Sequence, residues 1–265
     1  MSTENKSIVT DGIKSQDRVK KHGEVFTPVH IVKDMTGMVN KSLNEKLDEE
    51  GIEDITERNW QLLNKTWLEP ACGTGNFLVE ILKDNLTYIE NIIKEQGIEN
   101  VNVDLCTLIA VATIYGIDIQ LDNVLESRAR LIDTPAPDDQ ANGYETVTAW
   151  YKRVTSREMS EELLDSVRYI TEKNIIHGNA LTGTFYTGEG DEAEDTKQPM
   201  TIVGWNPIEE ENKFKIEEVD FNSMKSGGTG TPVIQPYVGE SFEIYRLRTM
   251  ESFVKADDDL GDLDW

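Results

Sequence analysis

Two glycines, one carboxylate and an Asn-Pro pair are the residues whose types and spacing suit chemistry. Residues 67–77 read Trp-Leu-Glu-Pro-Ala-Cys-Gly-Thr-Gly-Asn-Phe: a short apolar strand, Glu69-Pro70, a small-residue turn, then an apolar helix. Gly73 and Gly75 let the backbone approach a ligand where a side chain would block it. A helix opening at Asn76 aims free backbone N–H groups at the same place. A strand, a glycine turn and a helix describe a site for a nucleotide-type cofactor in an α/β sheet. Asp118 closes a second apolar run, Tyr115–Ile119. A carboxylate there can accept hydrogen bonds from two ribose hydroxyls. The N-cap of a helix starting near residue 121 asks for the same residue type, so both roles stand open.

The elements that must position these residues follow from pattern. Thr27-Pro28 starts a helix over about 29–47, with Thr27 as N-cap and Pro28 at the first position. Ile31, Val32, Met35, Met38 and Val39 are expected to turn toward the core. Helices are expected over 76–96, 103–113, 121–131 and 160–172, and strands at 67–69, 115–119, 175–177 and 200–205. Residues 49–59 read as a charged connection, and 133–158 as a turn-rich insertion around Pro135 and Pro137. A flexible loop is expected at 226–232 and a helix at 240–255. The alternation of strands and helices implies an α/β fold, with a mostly parallel sheet and helices on both faces. The ligand then lies across the carboxyl ends of the strands.

The whole string Glu69-Pro70-Ala71-Cys72-Gly73-Thr74-Gly75-Asn76-Phe77 resembles motif I of the S-adenosylmethionine-dependent DNA adenine-N6 methyltransferases. Gly23-Glu24-Val25-Phe26-Thr27-Pro28 resembles their N-terminal cofactor motif, Tyr115–Ile119 their motif II, and Asn174–Leu181 their motif III, with Asn179 in place of an acidic residue. Thr201–Glu209 occupies the place of motif IV. The resemblance spans roughly 22–208 and implies a Rossmann-like methyltransferase fold. It implies S-adenosylmethionine as cofactor, held by Phe26, Thr27, Glu69, Ala71, Gly73, Gly75, Asn76, Phe77, Asp118, Ile119, Asn179 and Ala180. Thr27 would meet the methionine carboxylate, and Asn179 the adenine. It implies catalysis by Asn206 and Pro207, whose oxygens would accept from the target adenine's amino group. After Asn206-Pro207 the pattern departs: Ile208 replaces a second Pro, and Glu209 the aromatic that stacks on a flipped-out base. Two functions therefore stand: a DNA adenine-N6 methyltransferase of a restriction-modification or phage-related system, or a catalytically silent homologue acting as an acidic subunit or antagonist of a modification complex. Methylation of RNA or protein is a weaker third.

Charge bears on partners. The 265 residues hold 50 acidic and 26 basic side chains, for a net charge of −24. A chain that grips phosphates normally shows a basic face. DNA is therefore expected to be reached through a partner subunit, with a basic protein as a candidate for the acidic segments 189–195, 209–218 and 257–264. Lys14, Arg18, Lys20 and Lys21 form one local basic cluster. The organisation expected is a polar segment 1–22, a cofactor-binding domain 23–208, a C-terminal region 209–256 and an acidic tail 257–265. The region after Asn206-Pro207 is short for the further strands and DNA-reading part that the family carries, so either a partner is expected to supply recognition or the chain is expected not to methylate. No apolar run of about 18 residues and no signal-peptide pattern is present, so a cytoplasmic chain with no membrane association is expected. Cys72 and Cys106 read as free thiols. Three histidines without a Cys-x-x-Cys pair argue against a metal site.

Overall fold

The computed structural model describes residues 14, 19, 24–208, 213–225 and 243–244. The features expected at 226–232 and 257–265 lie outside the described residues, as do Glu209 to Glu211 and most of 1–22; of the helix expected at 240–255 only 243–244 are described, and they form a short strand. The chain is α/β. Helices α1 (Val29–Glu49) and α2 (Ile55–Leu63) precede β1 (Trp67–Glu69), and α3 (Asn76–Gln96) and α4 (Val103–Ala112) lead into β2 (Ile114–Asp118). Then come α5 (Leu121–Ile132), α6 (Asp139–Asn142), α7 (Val147–Thr155), α8 (Glu161–Asn174) and β3 (Ile175–Asn179). Strands β4 (Thr184–Thr187), β5 (Glu194–Pro199), β6 (Thr201–Ile208) and β7 (Lys213–Asp220) follow, with α9 (Phe221–Lys225) and β8 (Glu243–Ile244).

The main sheet has the order β1-β2-β3-β4-β5. Strands β1, β2 and β3 are parallel, in the register Glu69↔Gly116 and Asp118↔His177. Strands β4 and β5 join antiparallel. The sheet is thus mixed rather than mostly parallel. The acidic segment 189–195 lies in the turn and the start of the second strand of a hairpin, β4–β5, which no crossover helix separates.

Side chains alternate across β2 and β3. Ile114 and Ile175 face a large core made with α3, α4, α7 and α8, while Tyr115, Ile117 and Ile176 face a smaller cluster with Met200, Ile202 and Phe221. Helices were expected on both faces. Among the described residues the second face is instead covered by β6, of the separate sheet β6-β7-β8, and by Phe221 of α9.

Helix α3 matches its expected bounds, because its apolar positions recur at helical spacing: Leu78, Leu82, Leu86 and Ile89 are all buried. Helix α1 extends as expected but turns otherwise. Its buried residues are Val32, Thr36 and Leu47, whereas Ile31, Met35, Met38 and Val39 are exposed. Thr36 returns its hydroxyl to the Val32 carbonyl at 2.9 Å, which lets a polar residue sit on the buried face. The connection expected at 49–59 contains the start of α2, which Asp54 caps by accepting from the Glu57 N–H at 2.8 Å. No helix among the described residues is long and apolar enough to cross a membrane.

Candidate cofactor site

The turn between β1 and α3 is held from both sides. The Cys72 N–H donates to the Ile117 carbonyl at 3.0 Å, which continues the sheet pairing past the end of β1. Gly73 and Gly75 have φ of +53° and +90°, the left-handed region that favours glycine. A Cβ on Gly73 would lie 3.0 Å from the Phe26 ring, and one on Gly75 would lie 3.0–3.3 Å from Oγ, Cβ and Cα of Ser127. Gly116 admits Cys72 in the same way, since a Cβ there would meet the thiol at 3.1 Å. Burial, and then the Asp118 charge, push the Cys72 thiol far up, so it is a packing group and not a nucleophile.

Asp118 ends β2 with both oxygens engaged. Oδ2 accepts from the Gly73 N–H at 2.9 Å, and Oδ1 accepts from the Gln120 N–H at 2.8 Å and from Asn123 Nδ2 at 3.2 Å. Asp118 is not the N-cap of α5, which is Gln120 without a side-chain cap; its carboxylate steadies the turn into the helix and lines an open cavity, with about one lone-pair site to spare. Burial raises the pKa of Asp118, against three lowering hydrogen bonds. Burial likewise raises that of Glu69, whose Oε1 accepts from the Ala71 N–H at 3.1 Å.

At the end of β3, Asn179 uses its side chain mainly on its own turn: Oδ1 accepts from the Leu181 N–H at 2.9 Å. His177 sits 3.1 Å from the Ile119 carbonyl, and burial lowers its pKa, so it is neutral near pH 7. The N-terminal arm closes the remaining wall. Asn76 Nδ2 donates to the Thr27 carbonyl at 3.0 Å, and Asn123 Nδ2 donates to Glu24 Oε1 at 2.7 Å. Helix α1 starts at Val29 with Pro28 in the capping position and no side-chain cap, so Thr27 is not its N-cap.

These elements enclose a cavity of about 580 Å³ at the carboxyl ends of β1, β2 and β3. Phe26, Thr27, Glu69, Ala71, Gly73, Asn76, Phe77, Asp118, Ile119, Asn179 and Ala180 all line it. Gly75 does not; it lies behind the turn against Ser127. Sequence reasoning missed Glu24, Gln120 and Asn123 as lining residues, and Ser127 and Arg130 as supports. The available signal was a run of polar residues inside the otherwise apolar face of α5.

Asn206 and Pro207 are not in this cavity. Strand β6 leaves the cavity end, where the Met200 sulfur lies beside Gly178. It passes Tyr115, whose hydroxyl donates to the Val203 carbonyl at 2.7 Å, and reaches Asn174, which accepts from Trp205 Nε1 at 2.7 Å. Asn174 immediately precedes β3, so β6 runs against β3 and carries Asn206 to the opposite end of the sheet. There Asn206 is exposed and pairs with Lys215 of β7. Trp205 packs edge-on against Tyr169 and Phe214, each at 6.2 Å, and is not free to stack on a base. Asn206→Ala is therefore expected to leave the affinity of the cavity within about twofold, as for surface changes generally. A titration of the variant beside the parent checks this.

No protein family, curated protein or solved structure matches the chain.

Proposed function

We propose that the chain is a methyltransferase of Rossmann-like fold, related to the DNA adenine-N6 enzymes, which takes S-adenosylmethionine into the cavity between β1, β2 and the N-terminal arm. The charge of the cavity carries this reading. Among the described residues its lining includes three carboxylates, Glu24, Glu69 and Asp118, and no Lys, Arg or His. Lys14 lies beside it, donating to Asn123 Oδ1 at 2.9 Å, and is paired with Asp122 and Glu126. A glycine turn of this kind also serves dinucleotides, but their pyrophosphate would face three carboxylates. S-adenosylmethionine instead brings a sulfonium and an ammonium group against one carboxylate. The volume lies in the range of small-ligand pockets. When bound, this cofactor supplies an electrophilic methyl group. The residues of the chain bind and orient it: Asp118 toward the ribose diol, Glu69 toward a cationic group, and Phe26 and Phe77 as apolar walls.

Calorimetric titration tests this. S-adenosylmethionine should bind and NAD should not; the reverse order would overturn the reading. Affinity should fall as pH is lowered into the range where the two carboxylates take up protons. The raised pKa values of Glu69 and Asp118 mean that their charge is lost earlier than for free carboxylates, and with it the attraction for a cation. Binding should correspondingly release protons at the acid end of that range.

The position of Asn206 favours a second reading, in which the chain binds the cofactor without turning it over and serves as a subunit of a DNA-modifying assembly. Transfer of labelled methyl groups to mixed DNA separates the two. Incorporation supports the enzyme, whereas intact binding without incorporation supports the subunit.

A further inference from the structure

One face of α5 carries three polar residues in a helical row, Asn123, Ser127 and Arg130, and all are buried (1%, 0% and 5% exposed). Polar side chains in such a place are costly unless satisfied. Each is satisfied by the machinery of the cavity. Asn123 Nδ2 bridges Glu24 Oε1 and Asp118 Oδ1 at 2.7 and 3.2 Å. Ser127 Oγ donates to the Gly73 carbonyl at 2.8 Å. Arg130 Nη1 donates to the Thr74 carbonyl at 2.6 Å and to Asn76 Oδ1 at 3.0 Å. Its other nitrogens fork onto Asp139, Nε to Oδ2 at 3.0 Å and Nη2 to Oδ1 at 2.5 Å. Asp139 Oδ2 also accepts from the Ala136 N–H at 2.7 Å, which ties in the start of the 133–158 segment.

The geometry points to Asn123, Ser127 and Arg130 as positioning residues that pre-form the cofactor turn, with Arg130 as the member of largest effect. The consecutive carbonyls of Gly73 and Thr74 are both pinned by α5. Because a peptide group is planar, pinning its oxygen fixes the N–H on its other side. The two peptides that flank Thr74 are thus set before any ligand arrives, and binding need not spend free energy to order them. As a claim about affinity, this role rests on the proposed cofactor reading.

Three variants of the full chain test it. Arg130→Met alone would strand the Asp139 carboxylate in the interior and risk unfolding. Arg130→Met with Asp139→Leu removes the whole pair, a change that often leaves stability unchanged or raised. Arg130→Lys keeps a charge for Asp139 but loses the fork. Ser127→Ala removes one hydrogen bond. The melting temperature of the paired variant should stay near that of the parent. Its affinity for S-adenosylmethionine, and for the uncharged-sulfur product S-adenosylhomocysteine, should fall by about tenfold, the worth of a hydrogen bond from a charged donor. Arg130→Lys should fall comparably, and Ser127→Ala by about threefold. In ¹⁵N-correlated spectra the Thr74 and Gly75 amides should shift in all three. Parental affinity with these two amides unshifted in a folded variant would overturn the inference. If the parent binds neither ligand, the proposed function fails. The two amides alone then decide the positioning role, supporting it if they shift and overturning it if they do not.

Discussion

Gly75→Val is expected to abolish uptake of S-adenosylmethionine. Gly75 sits at φ +90° and ψ 25°, directly before α3. A β-branched residue is a genuine outlier there, and the left-handed conformation alone costs about 1–2 kcal/mol for a residue with a Cβ. The added carbon would also lie 3.3 Å from the Ser127 Cα, which is backbone of α5 and cannot rotate away. Overpacking of that kind adds about 1–3 kcal/mol. The turn can relieve it only by moving off α5. That movement breaks the 2.8 Å contact from Ser127 to the Gly73 carbonyl and withdraws the Gly73 N–H from Asp118. Gly143→Val is the control. Gly143 has φ +79° but nothing within 4 Å of an added Cβ, so it bears backbone strain without collision and lies away from the cavity. Calorimetry and thermal melting on both variants give the comparison. Equal loss of binding in the two, or parental affinity in Gly75→Val, would contradict the account.

The cofactor turn was legible in the sequence because its information is contiguous. Glycines, a strand-ending acid and a helix start lie within a few residues, and local sterics dictate what they do. Eleven of the twelve cofactor residues expected from sequence line one cavity; Gly75 alone stands behind it. The features that sequence missed depend on how distant segments meet. The buried face of α1 was misjudged because Ile31, Met35 and Met38 are as periodic as Val32, Thr36 and Leu47. Only packing on α3 selects between the two faces, and it chose the one containing a threonine. The row on α5 was invisible because Ser127 and Arg130 resemble ordinary solvent-facing residues until the carbonyls of residues 73 and 74 are placed beside them. The placement of Asn206 away from the cavity was hidden for a related reason. A strand of eight residues can run in either sense, and nothing within 201–208 records that it pairs with β7 and runs against β3.

The acidity of the chain takes on a local meaning at the cavity. A net charge of −24 alone speaks only against unaided approach to a polyanion. Three carboxylates around one cavity, without a cation among its described lining residues, say more, because burial makes charge count. Burial of two of these carboxylates costs the fold stability. For Glu69 and Asp118 the folded pKa lies above the unfolded value, so the native state holds the proton more tightly. Their contribution to stability therefore declines as pH rises from the unfolded pKa through the raised folded one. A cation in the cavity offsets that decline.

Asp118→Ala should weaken cofactor affinity by about a hundredfold, the largest loss expected from a change at the rim itself. Three donors converge on this carboxylate: the Gly73 N–H, the Gln120 N–H and Asn123 Nδ2. Truncation leaves the Gly73 and Gln120 N–H groups without this acceptor in a half-buried place, at about 1–3 kcal/mol for each that water cannot reach, while Asn123 Nδ2 keeps Glu24 Oε1. It also removes the acceptor offered to the ribose hydroxyls. Asp118→Asn separates the two contributions. An amide keeps the shape and one acceptor oxygen, but its NH₂ must face either the Gly73 N–H or the Gln120 N–H, donor against donor. The variant should therefore bind more weakly than the parent, by about tenfold, while resembling it in fold. It should also lack this group's share of the stability lost between the unfolded and the raised folded pKa, so its melting temperature should hold better than the parent's as pH rises through that range. Calorimetry with S-adenosylmethionine and melting curves across pH provide both readouts. An Asp118→Ala chain that binds with parental affinity would remove the ribose-binding role and return Asp118 to a purely structural one at the entrance of α5.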